Sequence, residues 1–457
     1  MSIHRPTPPT TRHSRLVRGT SLLAAAALLA ACSPSGDGSS AAADDSGTTT
    51  VTFRLWDEQV AKAYEKSFAA FTAQNPDITV DVNVVPWASY WDQLPIDVGA
   101  GTIDDIFWLN SSNVARYAAA GQLVDITDAL GSASDGWQAS VVDQYTIGGS
   151  LWGVPQLSDA NGVFYNADLL DAAGIDPADL AGLSWVPGAG PQDTLLPALQ
   201  ALTLDSSGHT AADPAFDASA ISQFGYNAGL DLQAIYYPFV GSNGGAWQAS
   251  DSDAYVFADD PKSVEAIQYV VDLINAHHVS PSAADTNDNG DFSRDQFLQG
   301  KLAIFQSGTY NLANVRDGAD FTWGLTTVPQ GPAGSVTVAN GIIAAASSAS
   351  DHKDAVTKVL AWIGSDEGAS YIAADGSAFP AVTGAQQAYL DYWAGQGVDV
   401  TPFLDAAEGA TIGAPHGAEA GPGANAAAEV LKEVFLGRLD VATGLSQAQE
   451  AANTAIK

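Results

Sequence analysis

Cysteine occurs once in these 457 residues, at Cys32. A disulfide framework, a cysteine-bound zinc and thiol catalysis therefore all lack their parts. Methionine occurs once as well, at Met1, and carries no function here. Basic residues are scarce: 17 Lys and Arg stand against 52 Asp and Glu, for a net charge of −35. A body so acidic is repelled by phosphate backbones and anionic membrane surfaces, which excludes nucleic acid as a partner. There is no Gly-x-Ser-x-Gly elbow, no His-Glu-x-x-His and no phosphate-binding glycine loop. No 20–50-residue repeat is present, and nothing after residue 32 forms a bilayer-length apolar run. No cofactor is expected. What the chain does have is 46% hydrophobic and 9% aromatic residues, enough for two or more domains with cores.

The N-terminus has its own grammar. Arg5, Arg12, Arg15 and Arg18 form a positive head, Leu22 to Leu29 a short apolar core, and Leu29-Ala30-Ala31-Cys32 closes it. The apolar stretch is too short for a spanning helix and suits a secretory signal over residues 1–31. Small residues directly before the lone cysteine resemble the lipobox of bacterial lipoproteins. That resemblance implies cleavage before Cys32, lipidation of Cys32, and an exported protein anchored to the outer face of the cell membrane. An ordinary signal with a cysteine nearby is the alternative. Loss of the four arginines takes the net charge from −35 to −39. Residues 32–49 are small, polar and free of aromatics, so a disordered tether is expected there.

Order is expected from Val51. Val51, Phe53 and Leu55 alternate with polar neighbours as a strand does, then Val60, Tyr64, Phe68 and Phe71 recur at helical spacing up to Pro76. Ile78, Val80, Val82 and Val84 alternate again, completing a βαβ unit with parallel pairing. Asp105-Ile106-Phe107-Trp108-Leu109 reads as a third, fully buried strand. Asp260-Pro261 opens a helix carrying Val264, Ile267, Val271 and Ile274, and Ser350 precedes one carrying Val356, Leu360 and Ile363. Short buried strands are expected at 302–305 and 341–344, and two helices broken near Gly437 from Ala424 to the end.

Five segments, in this order, carry a family resemblance. They are Val51–Trp56 with Asn75-Pro76-Asp77-Ile78; Ala100-Gly101-Thr102-Ile103-Asp104-Asp105-Ile106, where Ile103 replaces a usual proline; and Gly121-Gln122-Leu123-Val124-Asp125-Ile126-Thr127. Leu151-Trp152-Gly153-Val154-Pro155 with Val163-Phe164-Tyr165-Asn166 follows, then Phe297-Leu298-Gln299-Gly300-Lys301-Leu302-Ala303-Ile304. Over about residues 50–455 the pattern resembles the oligosaccharide-binding (maltose-binding-type) solute-binding proteins of ABC transporters. The resemblance implies an α/β, two-lobed periplasmic-binding-protein-like fold with hinge crossovers and extra C-terminal helices. It implies a first lobe over 50–157 plus 328–346 and a second over 158–327 plus 347–457. It further implies a monomer that captures a sugar or oligosaccharide between its lobes and delivers it to ABC permease membrane subunits.

A sugar presents C–H patches beside hydroxyls, so its site needs flat apolar rings next to groups that both donate and accept hydrogen bonds. Trp56 and Asp57 end the first strand where an open parallel sheet faces its ligand. Trp87, Tyr90 and Trp91 crowd the segment after the second strand, and at least one of them should be exposed. Asn110 and Ser111 end the third strand, whereas Asp104 and Asp105 belong to its opposite edge. Asp159 and Asn161 follow the first crossover. Tyr237, Trp247, Tyr310, Asn340, Gly341, Phe379 and His416 complete the candidates. Trp152, Trp323 and Trp362 read as core or hinge packing.

Asp285-Thr286-Asn287-Asp288-Asn289-Gly290 matches half of a calcium loop, but Gln296 stands where the bidentate Glu is needed, so a polar turn is the expectation and no metal site is assigned. His277 and His278 are adjacent and do not share a helix face. The rival to binding is a surface glycoside hydrolase using acidic pairs such as Asp57-Glu58 or Asp259-Asp260. Hydrolysis needs two carboxyls facing each other across a bond, which neighbours in sequence do not supply.

Overall fold

Strand β1 (Thr49–Leu55) begins two residues before the alternation that starts at Val51, because Thr49 and Thr50 pair in register with Ile78 and Thr79. The computed structural model describes residues 47–457 other than 251; the signal, Cys32 and most of the expected tether lie outside the described residues. Helix α1 (Glu58–Gln74) starts where the Asp57 carboxylate accepts from the N–H groups of Gln59 (2.8 Å) and Val60 (3.0 Å), and its Val60, Tyr64, Phe68 and Phe71 stripe is buried. Then follow β2 (Ile78–Val84), α2 (Trp87–Ala100), β3 (Ile106–Asn110), α3 (Ser111–Ala119), α4 (Ala139–Tyr145) and β4 (Val154–Asp159). As the βαβ pattern requires, β1 is parallel to both β2 and β3.

Ala160 alone separates β4 from β5 (Asn161–Asn166), and with β5 the chain enters a second sheet. Helix α5 (Pro261–Asn275) has the expected Asp260 cap, whose carboxylate accepts from Lys262 N–H at 2.9 Å. Strand β6 (Ile304–Gly308), helix α6 (Leu312–Gly318) and strand β7 (Trp323–Thr326) follow, with β6 and β7 flanking β5 antiparallel. The eleven-residue β8 (Val336–Ala346) then returns to the first sheet, antiparallel to β3 and β4.

Helices α7 (Lys353–Ile363) and α8 (Asp366–Ala374) cover α1. The Trp362 Nε1 donates to Ser67 Oγ at 2.9 Å, and that hydroxyl donates to Gly368 O, also at 2.9 Å. Residues 379–382 run beside β4, with Ser158 N–H on Phe379 O and Ala381 N–H on Gln156 O. Helix α9 (Gln386–Gly395) packs on α8. Residues 347–395 therefore sit on the first lobe, and the expected boundary at 346 falls too early. An apolar helical stripe shows that a sheet is covered, not which sheet. The chain returns to the second lobe at α10 (Thr401–Glu408), where the Phe403 ring lies 5.8 Å from Phe164. Strand β9 (Ala410–Gly413) pairs parallel with the first half of β8. Helices α11 (Ala420–Phe435) and α12 (Val441–Ala455) close the second-lobe core, joined across Gly437, whose φ of +68° suits glycine.

A paired cluster of charge lies under the first sheet. Arg54 bridges Asp97 (2.7 Å) and Asp104 (2.6 Å), while Asp105 accepts from Thr52 N–H and Oγ1, both at 2.9 Å. Asp104 and Asp105 precede β3, at the end opposite Asn110, and are held in these pairings. Among the described residues no helix is long and apolar enough to cross a membrane.

Candidate functional site

At the carboxyl end of β1, Trp56 is the hub of an aromatic cluster. Its ring meets Trp87 (5.2 Å), Tyr90 (5.0 Å) and Trp108 (4.9 Å) edge-on, and Trp91 at 5.4 Å. The Tyr90 hydroxyl donates to Trp108 O at 2.7 Å, which seats both rings in the core. Tyr90 therefore offers no face to a ligand, Trp56 and Trp91 are half-buried, and Trp87, 53% exposed, is the free ring. Asp57 lies beside this wall as the α1 cap. Asn110 accepts from Asn113 Nδ2 at 2.8 Å, and the adjoining Ser111 Oγ is buried without a hydrogen-bond partner among the described residues.

The first crossover supplies the most unusual group. Asp159 ends β4, and its Oδ1 accepts from Thr309 Oγ1 of the second lobe at 3.0 Å. Burial pushes its carboxyl up to about 6; the Thr309 hydroxyl opposes this, and the Asp57 carboxylate adds to it. Asp57 and Asp159, far apart in sequence, therefore come close enough for one charge to act on the other. In β8, Asn340 pairs through its backbone with Asp159. Gly341 N–H donates to Gln144 Oε1 at 3.0 Å, and its carbonyl accepts from the Tyr145 hydroxyl. A Cβ at Gly341 would sit 2.5 Å from Val141 Cγ1, so only glycine lets α4 approach the crossover this closely.

The opposite wall comes from the second lobe. Tyr310 follows β6 and is 40% exposed. Burial, with Asp231 and Asp159 nearby, holds its hydroxyl well above the usual phenol value. A Cβ on Gly308 would lie 2.2 Å from the Tyr310 ring, so glycine there makes the ring's position possible. Behind it, residues Leu232–Tyr236 form a π-helical turn, an arrangement that recurs at functional sites. Asn161 Nδ2 donates to Gln233 O (2.9 Å) and Gln306 Nε2 to Ala234 O (2.6 Å), fixing the turn's backbone. Asn161 Oδ1 and Gln233 Nε2 are buried without partners among the described residues. Asp231 caps the turn through Ala234 N–H at 2.8 Å, and burial raises its carboxyl. Sequence reasoning missed Asp231 and Gln233; an acid between Leu230 and Leu232 was the available signal.

Four candidates lie elsewhere. Trp247 stacks on Phe257 at 4.0 Å and meets Tyr236 and Tyr237 at 5.1 and 5.0 Å, so both Trp247 and Tyr237 are second-lobe core. The glycine-rich stretch before Trp247 folds it inward. Phe379 is buried against Tyr389 at 5.3 Å. His416 is exposed, and its backbone pairs with the Gln248 amide. The acidic pair Asp259-Asp260 is likewise structural: Asp259 accepts from Gln449 Nε2 (2.8 Å) and Asp260 caps α5. In the calcium-like loop the Lys432 ammonium sits 3.0 Å from Asp288, and Asn287 Nδ2 donates to Lys432 O. Among the described residues no group of three His, Cys, Asp or Glu could hold a metal.

This architecture, two sheets joined by crossovers with polar groups facing between them, matches a known family. The model for bacterial extracellular solute-binding proteins covers residues 56–370. The chain belongs to that family. As a solute-binding protein it is similar to M. tuberculosis UspC, at 53% identity over 89% of this chain and 100% of that one, with a TM-score of 0.75. It is similar to the maltodextrin-binding protein MdxE of Bacillus subtilis, at 25% identity over 72% of this chain and 73% of that one. A lactose-binding protein of Rhizobium radiobacter is 29% identical over 30% of this chain, which spans only 33% of that relative. The maltose-bound T. maritima MalE3 shares the fold, with a TM-score of 0.70 at 20% identity over 89% of this chain and 99% of that one.

Proposed function

We propose that this solute-binding protein captures a sugar or oligosaccharide between its lobes and passes it, unaltered, to the membrane subunits of an ABC importer. The observation that carries the reading is the juxtaposition at the crossover. Asp159 feels the charge of Asp57 and acts in turn on Tyr310, while Trp87 at the end of the first sheet and Tyr310 after β6 each leave a ring exposed. Rings stack on the C–H faces of a pyranose, and carboxylates accept from its hydroxyls. Ser111 Oγ and Gln233 Nε2, without partners among the described residues, can be satisfied by a guest rich in hydroxyls. Relatives described as maltodextrin- and lactose-binding support the solute class. Export and a lipid anchor on Cys32 belong to the same reading, as does a monomeric state.

The hydrolase reading fares worse, because Asp259 accepts from Gln449, Asp260 caps α5, and the family is one of binding proteins. Titration of the intrinsic tryptophan fluorescence with maltotriose, lactose and other oligosaccharides tests the proposal. A saturable shift that Tyr310→Ala abolishes supports it. A shift left unchanged in both Tyr310→Ala and Asp159→Asn would place the ligand elsewhere.

A further inference from the structure

We propose that Arg316 is a cross-lobe latch, setting the open–closed balance of the ligand-free chain through its contact with Tyr392 and Trp393. Arg316 lies on α6 of the second lobe. Its guanidinium sits 5.9 Å from the Tyr392 ring centroid and 5.5 Å from that of Trp393. Its Nη1 donates to the Tyr392 hydroxyl. Both rings belong to α9, which is fastened to the first lobe: Gln386 Nε2 donates to Pro380 O at 3.1 Å, and Tyr389 packs on Phe379. One side chain thus joins an element of each lobe.

The contact is assembled rather than incidental. Asp317 takes Arg316 Nε at 2.7 Å and Nη2 at 3.0 Å, which orients the guanidinium plane and leaves Nη1 for Tyr392. Neighbouring charge from Asp317 and Asp375 holds Arg316 firmly protonated. On the other side, Gly376 has a φ of +69°, and a Cβ there would lie 2.2 Å from the Tyr392 ring, so glycine gives the ring its seat. Arginine suits the position because a flat guanidinium can stack on one ring and donate to another group at once, which a lysine ammonium cannot. On this proposal α6 travels with the second lobe and α9 with the first, and opening the cleft stretches the contact. The inference rests on the fold and not on which solute binds.

Small-angle X-ray scattering of the ligand-free full-length chain tests it, with circular dichroism to confirm folding. Arg316→Ala should shift the open–closed ratio about tenfold towards open, equivalent to about 1.4 kcal/mol, and raise the radius of gyration. Tyr392→Phe removes only the hydroxyl and should give a smaller rise, Arg316→Lys an intermediate one. The Arg316→Ala/Tyr392→Phe double variant should open no further than Arg316→Ala alone. Should Arg316→Ala misfold, Tyr392→Phe and Arg316→Lys carry the test. Folded variants that scatter identically to the parent would overturn the proposal, as would a parent chain already as extended as its variants.

Discussion

Asp159→Asn probes the site where its energetics are most exposed to measurement. The carboxyl rises from 3.8 to about 6, chiefly because it is buried, and that rise corresponds to about 3 kcal/mol between its charged and neutral forms. The sign follows from linkage. Well below 3.8 the folded and unfolded chains both hold the proton and nothing is lost. Between 3.8 and about 6 the unfolded chain has released the proton while the native state still holds it, so stability falls across that window and levels off above it. Asparagine keeps the shape and still accepts from the Thr309 hydroxyl, but it never ionises. About 1–3 kcal/mol of stabilisation is therefore expected at pH 8 and little at pH 4. Urea unfolding of both proteins at the two pH values gives the difference directly. The same variant should bind solute more weakly, since the charge costs stability where binding needs it. An equal effect of the substitution at pH 4 and pH 8 would refute the assignment of a buried, perturbed carboxyl.

Three further outcomes follow from the packing. Arg54→Met strands Asp97 and Asp104 beside an apolar side chain and should cost about 3–5 kcal/mol in urea unfolding. Trp247→Ala should destabilise by a similar amount, about 3–5 kcal/mol, because it empties a core site stacked on Phe257, yet leave the ligand-linked fluorescence change in place. Trp87→Ala should do the reverse: an unfolding midpoint near that of the parent, with much of the fluorescence response lost.

Local chemistry explains what could be read from the chain. The βαβ opening was legible because Val51 to Val84 switches from a two-residue to a helical period and back, and α5 because Asp260-Pro261 caps it. The aromatic cluster around Trp56 was legible because four large rings, Trp56, Trp87, Tyr90 and Trp91, follow closely on the ends of β1 and β2. What failed depended on long-range packing. Trp247 follows a run of glycines and looks like a loop ring, but Phe257, ten residues on, covers it. The lobe boundary was misjudged because the stripe of Val356, Leu360 and Ile363 fits either sheet, and only Trp362 on Ser67 settles which. Nothing local marks Thr309 as the partner of Asp159, since the chain separates them by 150 residues.

Isothermal titration against a panel of oligosaccharides, with the recovered sugar checked by mass spectrometry, tests the central claim most directly. At least one sugar should release heat saturating at one site per chain and return chemically intact, and Asp159→Asn should weaken it. Cleaved sugar in the recovered material, or no heat from any member of the panel, would contradict the account.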